Sequence, residues 1–261
     1  MLMKLMKYDF KWINKVMCIY FIILPIISIA VKIVESVEQN LLLLIIDKIL
    51  SAMFIGCVVS IIITCIMRVW SRFINNIYKD ESYLTHTLPV TKNQIFNAKI
   101  LSALLSLLLS IIVIVACIAF VYLNPNTIDS LKFMYQSLVE VYGSVFAVCF
   151  IIGIALLIFL EFVYLLLAGI FGIVIGYKSN NYKLLKSITI GIISYIVLNS
   201  ISFIILEFMS KFVDFTIVAD GFPSINTLKV IGLSFIIVYL VYNLLYYFTS
   251  KYIFNKGVNV E

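Results

Sequence analysis

Charge is what this chain has least of. Only 12% of its 261 residues are Asp, Glu, Lys or Arg, and 64% are hydrophobic. An average soluble domain has about 25% charged and about 45–50% apolar residues. A soluble core of this length could not bury so much apolar surface. Several uncharged runs approach or exceed the ~20 residues a helix needs to cross the hydrocarbon core of a bilayer. The ~10-residue alternating segments of a membrane β-barrel are missing. The composition therefore indicates an all-α, polytopic membrane protein, read as a single transmembrane domain over residues 1–261.

Metal, redox and nucleotide chemistry lack their residues too. The five cysteines (Cys18, Cys57, Cys65, Cys117 and Cys149) all fall inside apolar runs, and no two form a C-x-x-C pair. His86 is the only histidine, so a zinc site has no second imidazole. The sequence contains no G-x-x-x-x-G-K-[ST] phosphate loop. No cofactor, metal or catalytic residue is expected. The N-terminus does not read as a cleavable signal: its basic residues are spread from Lys4 to Lys15, the apolar run behind them is too long, and no small-x-small site follows.

Six spans can be drawn, at roughly 16–34, 49–67, 100–123, 144–176, 187–206 and 229–248. With the N-terminus inside, fourteen basic residues fall in cytoplasmic segments: Lys4, Lys7, Lys11, Lys15, Arg68, Arg72, Lys79, Lys92, Lys99, Lys178, Lys183, Lys186, Lys251 and Lys256. Five (Lys32, Lys48, Lys132, Lys211 and Lys229) fall outside, where eight of the acids also lie. The positive-inside rule thus predicts cytoplasmic termini in a multi-pass protein of the cell membrane. The net charge of +6 is mostly this orientation signal, and no nucleic-acid partner is implied. The run 144–176 is about 50 Å as one helix, against a core of ~30 Å. It is read as one long, tilted or broken helix.

Residues 1–15 read as an amphipathic interfacial helix that meets membrane lipid. Lys4, Lys7, Lys11 and Lys15 form one face; Leu2, Leu5, Met6, Trp12 and Ile13 form most of the other; Asp9 is the misfit.

The polar stretch between spans two and three, Arg68 to Lys99, is the surface best suited to a soluble partner. Trp70, Phe73, Ile74 and Ile77 continue a helical stripe beyond the second span. The acidic pair Asp80-Glu81 follows, then a short polar-aromatic segment and Pro89. Thr91 with Gln94 makes a capping box, with Val90 and Ile95 as a hydrophobic staple, so a helix begins near Lys92. A helix, a reversal and a second helix make a rigid corner able to transmit a push. A plain loop with a good cap is the competing reading.

The string Lys79-Asp80-Glu81-Ser82-Tyr83-Leu84-Thr85-His86-Thr87-Leu88-Pro89-Val90-Thr91, with Gln94 and Lys99, resembles the pattern of type-2 ABC transporter permeases. Ser82 stands where many members have Gly. The six-span layout and the amphipathic N-terminus agree with that family. The resemblance implies a membrane-spanning permease subunit, an exporter in kind, driven by a separate ABC ATPase chain. Two permease chains, identical or not, would form the pathway. It further implies that Asp80, Glu81, Tyr83, Leu84, Leu88 and Pro89 dock on the ATPase. Frequent Ile, Lys and Asn fit an AT-rich bacterial genome.

Glu161 is the only acid inside an apolar run. Intramembrane ionisable groups are candidates for function by default. It is placed in the outer half of the membrane as a possible pathway residue, a hydrogen-bonded structural role and a proton relay being the alternatives. Ala168, Gly169, Gly172 and Gly176 make a small-residue stripe suited to close helix packing within the chain. Tyr246, Tyr247, Lys251 and Tyr252 read as an inner-interface anchor. The segment 207–229, with Asp214, Asp220, Gly221 and Pro223, either re-enters the membrane or caps the bundle. Two other classes compete with the permease: an uptake or sensor component, and an intramembrane lipid-modifying enzyme. The enzyme class needs convergent polar groups at one depth, and Glu161 stands alone among the acids.

Overall fold

The computed structural model describes residues 2–37, 40–79, 81–87, 89–212 and 224–257. It is all-helical, with no strand among the described residues. The elements are α1 (Leu2–Glu35), α2 (Leu41–Ile77), α3 (Ser82–Thr87), α4 (Lys92–Tyr122), α5 (Pro125–Tyr142), α6 (Ser144–Gly176), α7 (Lys183–Phe212) and α8 (Ile225–Asn255). Six of these (α1, α2, α4, α6, α7 and α8) are long and apolar enough to span a membrane. The expected spans fall inside these helices, save that the third runs one residue past the end of α4, to its C-cap Leu123.

The chain divides into two compact units, residues 1–131 and 132–261. In the first, α1 packs on α2 and α4. Met17, Leu24 and Val31 recur every seven residues along α1 and meet Phe54, Ile61 and Cys65 of α2 and Ile114, Cys117 and Val121 of α4. One apolar stripe per helix thus closes the core. Between residues 102 and 110 the buried face of α4 includes the small residues Ser102, Ala103, Ser106 and Ser110. Small side chains let α1 approach closely, and Asn14 Nδ2 donates to Phe10 O and Ser106 Oγ, both at 3.0 Å.

Polar groups close the far end of this unit. Lys32 Nζ donates to Val121 O at 3.2 Å and also to Asn124 Oδ1, and Asn124 Nδ2 donates to Glu35 Oε1 at 2.7 Å. The Asn124 amide donates to Thr127 Oγ1 at 2.8 Å, and Pro125 opens α5, where a missing N–H costs nothing. No residue of α5 is buried.

In the second unit α6 packs on both α7 and α8, which make little contact with each other. The small-residue stripe does pack within the chain. A Cβ on Gly172 would lie 2.7 Å from Gly191 N and 2.8 Å from its Cα; one on Gly176 would lie 2.5 Å from Ser187 Cα. The α6–α7 crossing therefore needs glycine at these positions. Gly143, at φ +85°, makes the turn from α5 into α6.

Two expectations are corrected here, and the reading of 144–176 as one long helix is borne out. Residues 2–15 are not a separate interfacial helix but the first turns of α1, which runs unbroken to Glu35. No glycine or proline interrupts the chain at their junction, so the backbone ladder continues. The excess length first noticed in 144–176 is general, since the six long helices have 30 to 37 residues, and α6 itself is unbroken. Tyr246 is not an interface anchor: it is buried against Tyr164 and Phe171. Tyr252 is exposed, and Lys251 lies over the ring of Tyr247, as belt residues do. Of the segment 207–229, residues 213–223, with Asp214, Asp220, Gly221 and Pro223, lie outside the described residues.

Candidate functional site

At the start of α1, three helices of the first unit meet around one carboxylate. Asp9 Oδ1 accepts from Arg72 Nε of α2 at 2.7 Å, and Asp9 Oδ2 accepts from Lys99 Nζ of α4 at 3.2 Å. The side chains of Asp9 and Lys99 are 7% and 5% exposed. Arg72 also donates through Nη1 to Glu81 Oε2 at 2.6 Å, and Asn76 Nδ2 donates to the same oxygen at 2.8 Å. Trp12 covers the cluster, with the guanidinium of Arg68 3.9 Å and that of Arg72 5.1 Å from its ring centre. Asp9, the misfit of the N-terminal pattern, is the hub that ties α1 to α2 and α4.

This cluster fixes the reversal between α2 and α4. After α2, Glu81 N–H donates to Asn75 O at 3.2 Å and Ser82 N–H to Lys79 O at 2.8 Å. Ser82 is buried, so a small residue is needed there. The six-residue α3 follows, with Thr85 buried and donating through Oγ1 to Glu81 O at 3.0 Å. Tyr83 and Leu84 point out of the fold, at 76% and 67% exposure. The chain then passes the exposed Pro89 to the Thr91–Gln94 capping box, which forms as expected. A notch of about 190 Å³ opens beside α3, with Asp9, Arg72 and Lys99 at its polar side and Leu5, Tyr8, Leu84 and Ile95 at its apolar side.

Of the six residues that the resemblance assigns to docking, Tyr83, Leu84 and Pro89 are at the surface and Glu81 is half-exposed. Glu81 is engaged inside the chain by Arg72 and Asn76, and holds the corner in place. Asp80 and Leu88 lie outside the described residues.

The second unit carries a polar seam at mid-height. Glu161 Oε1 accepts from Tyr195 OH of α7 at 2.7 Å. Its other oxygen, Oε2, is buried without a partner at hydrogen-bond geometry, although Tyr239 of α8 lies beside the carboxylate. Tyr164, one turn along α6, stacks on Tyr195 at 5.0 Å and on Tyr246 at 5.5 Å and donates to Tyr195 O at 3.0 Å. Tyr242 OH bonds Ser202 Oγ at 3.1 Å, and Asn243 Nδ2 donates to Leu160 O at 3.2 Å. Asn243 Oδ1, Tyr246 OH and Ser250 Oγ are also buried without partners. Glu161, Tyr195 and Tyr239 each lie within about three residues of the midpoint of their helices. Glu161 is therefore a mid-helix residue.

Sequence reasoning found Glu161 as the lone intramembrane acid and missed its tyrosines. Their spacing on α8, at 239, 242 and 246, was a visible signal of one helical face. Among the described residues no group of three or more His, Cys, Asp or Glu is placed to hold a metal. Comparison with protein-family models, with curated proteins and with solved structures finds no match to this chain.

Proposed function

We propose that this protein is the membrane-spanning permease subunit of an ATP-binding-cassette transporter, exporting its substrate. In this reading a separate ATPase chain drives it and a second permease chain completes the pathway. It resides in the cell membrane with both termini in the cytoplasm. The observation that carries the reading is the braced corner at α3. A soluble motor can move a membrane bundle only through an element that does not yield, and α3 is anchored through Glu81 to Arg72 and through Arg72 to Asp9 and Lys99. Tyr83 and Leu84 then offer an aromatic and an aliphatic anchor of the kind that dominates protein interfaces. The adjacent notch gives a partner side chain somewhere to seat. Glu161, near mid-height in the other unit, is the polar group assigned to the pathway.

The test is the variant Tyr83→Ala/Leu84→Asp, purified from native membranes beside the wild-type chain. Both positions are exposed, so insertion and melting temperature should be unchanged. ATP hydrolysis in the purified material, and the ATPase polypeptide seen by mass spectrometry, should fall to background. Retention of both at wild-type levels would remove the corner as docking site and with it the main support for the transporter reading.

A further inference from the structure

We infer that the cleft between the first halves of α6 and α8 binds an anionic phospholipid of the surrounding bilayer, one acyl chain lying in the cleft and the phosphate meeting Lys229. The cleft has a volume of about 690 Å³, within the ~300–1,000 Å³ range of ligand sites. Tyr142, Phe146, Phe150 and Leu157 line it along one side, and Leu228 and Ile236 along the other. It follows α6 from Gly143 to Leu157 and α8 from Ile225 to Ile236, which at ~1.5 Å per residue is roughly 16–21 Å. One leaflet of hydrocarbon is about 15 Å deep, half of the ~30 Å core. The cleft therefore has the length of one leaflet and runs in from the end where both helices begin.

Its width is set by glycine. Gly143, Gly153 and Gly232 all line it, and a Cβ on any of them would meet nothing within 4 Å. That is the reverse of Gly172 and Gly176 further along α6, where glycine is filled by the neighbouring helix. So α6 closes on α7 in its second half, while its first half stays parted from α8. The outer walls continue into side chains that face lipid, with Val145, Ile152 and Leu233 all exposed.

The polar end decides between occupants. Lys229 is the one charged residue that lines the cleft. It lies in the second turn of α8, exposed, with Nζ 5.8 Å from the ring centre of Phe146. It makes no ion pair among the described residues. An ammonium at headgroup depth above an apolar slot one leaflet long fits a lipid whose head is anionic. A zwitterionic head gains less there, and a lipophilic cation would be repelled.

The full-length protein in nanodiscs tests this with two photoreactive probes, phosphatidylglycerol and phosphatidylcholine, each with a diazirine on one acyl chain. Adducts are mapped by mass spectrometry. A single lysine near the headgroups is worth about 1 kcal/mol toward an anionic lipid. Adducts on residues 143–157 and 225–236 should therefore be about fivefold more abundant with phosphatidylglycerol. Lys229→Gln should abolish that preference and Lys229→Arg should keep it. Gly153→Leu, which places a side chain in open space, should suppress adducts there with both lipids. Equal labelling by the two lipids, the behaviour of ordinary annular lipid, overturns the inference. So does absence of labelling in the cleft, which would mean that protein, either residues 213–223 or a second copy of the chain, fills it.

Discussion

Asp9 shows how a single residue can be misjudged by pattern and corrected by partners. On a helical wheel it spoils an apolar face; in the fold it sits between Arg72 and Lys99 and bonds both cations. Removing one member of a buried ion pair costs about 3–5 kcal/mol, because the charge left behind has no solvent. Asp9→Ala is expected to destabilise the protein by an amount of that order, read as a lower melting temperature in detergent. Asp9→Ala with Lys99→Met should recover part of the loss, since one uncompensated charge is then gone. Glu161 poses the opposite case, a carboxylate with one oxygen bonded and the other buried without a partner. Glu161→Gln keeps an acceptor for Tyr195 OH and adds an amide donor beside Tyr239, so stability should hold. Glu161→Leu strands the Tyr195 hydroxyl, at a cost of about 1–3 kcal/mol. If the charge serves the pathway, Gln should impair transport without impairing assembly. Wild-type stability of the Leu variant together with wild-type transport by the Gln variant would show that this carboxyl does neither job.

At the scale of elements, the six long helices were legible because each carries an apolar run that only lipid or a buried core can satisfy. Apart from α6 and the start of α4, their ends were not, because the flanking turns are amphipathic and the hydropathy signal stops where lipid stops. The 18-residue α5 was invisible for the same reason: it buries nothing, and only Asn124-Pro125 marks its start. The capping box of α4 was legible in full, being local in sequence. The brace of α3 was not, since it joins residues 63 and 90 positions apart. The same locality limit applies to the Glu161–Tyr195 bond, whose partners are 34 residues apart on different helices. The glycines of α6 could be seen as a packing stripe, but not sorted into closed and open ones. That sorting gives a sharp contrast. Gly172→Leu would drive a side chain into the backbone of Gly191, which cannot rotate away. Overpacking of this kind costs about 1–3 kcal/mol or more. Gly232→Leu projects into open space and should leave the melting temperature of the protein almost unchanged.

At the scale of the whole molecule, polar clamps measure the membrane. Asp9 and Lys32 mark the two polar ends of α1, 23 residues apart and hence about 35 Å along the helix. Lys99 and Asn124 do the same for α4, at about 37 Å. Each distance is slightly more than the ~30 Å hydrocarbon core, so both clamps fit at headgroup depth with the apolar stripe of Met17, Leu24 and Val31 between them. In the second unit Lys229 and Lys251 bracket α8 over about 33 Å. The clamps are not equivalent in charge. The Asp9 end gathers Arg68, Arg72 and Lys99, whereas the other end pairs Lys32 with Glu35 through Asn124. The proposed orientation, drawn from the positive-inside rule, has the first of these in the cytoplasm, which is also where the proposed ATPase could reach Tyr83 and Leu84. Single cysteines at Tyr83 and at Asn126, in a chain whose five native cysteines are replaced by Ala or Ser, test this directly. Both sites are exposed, so accessibility in the folded protein does not limit labelling. A membrane-impermeant maleimide applied to intact cells should modify the cysteine at 126 and spare the one at 83 until the cells are opened. Modification at 83 in intact cells would invert the orientation, put the braced corner on the wrong side for any nucleotide-driven partner, and leave the docking proposal without a membrane face to act from.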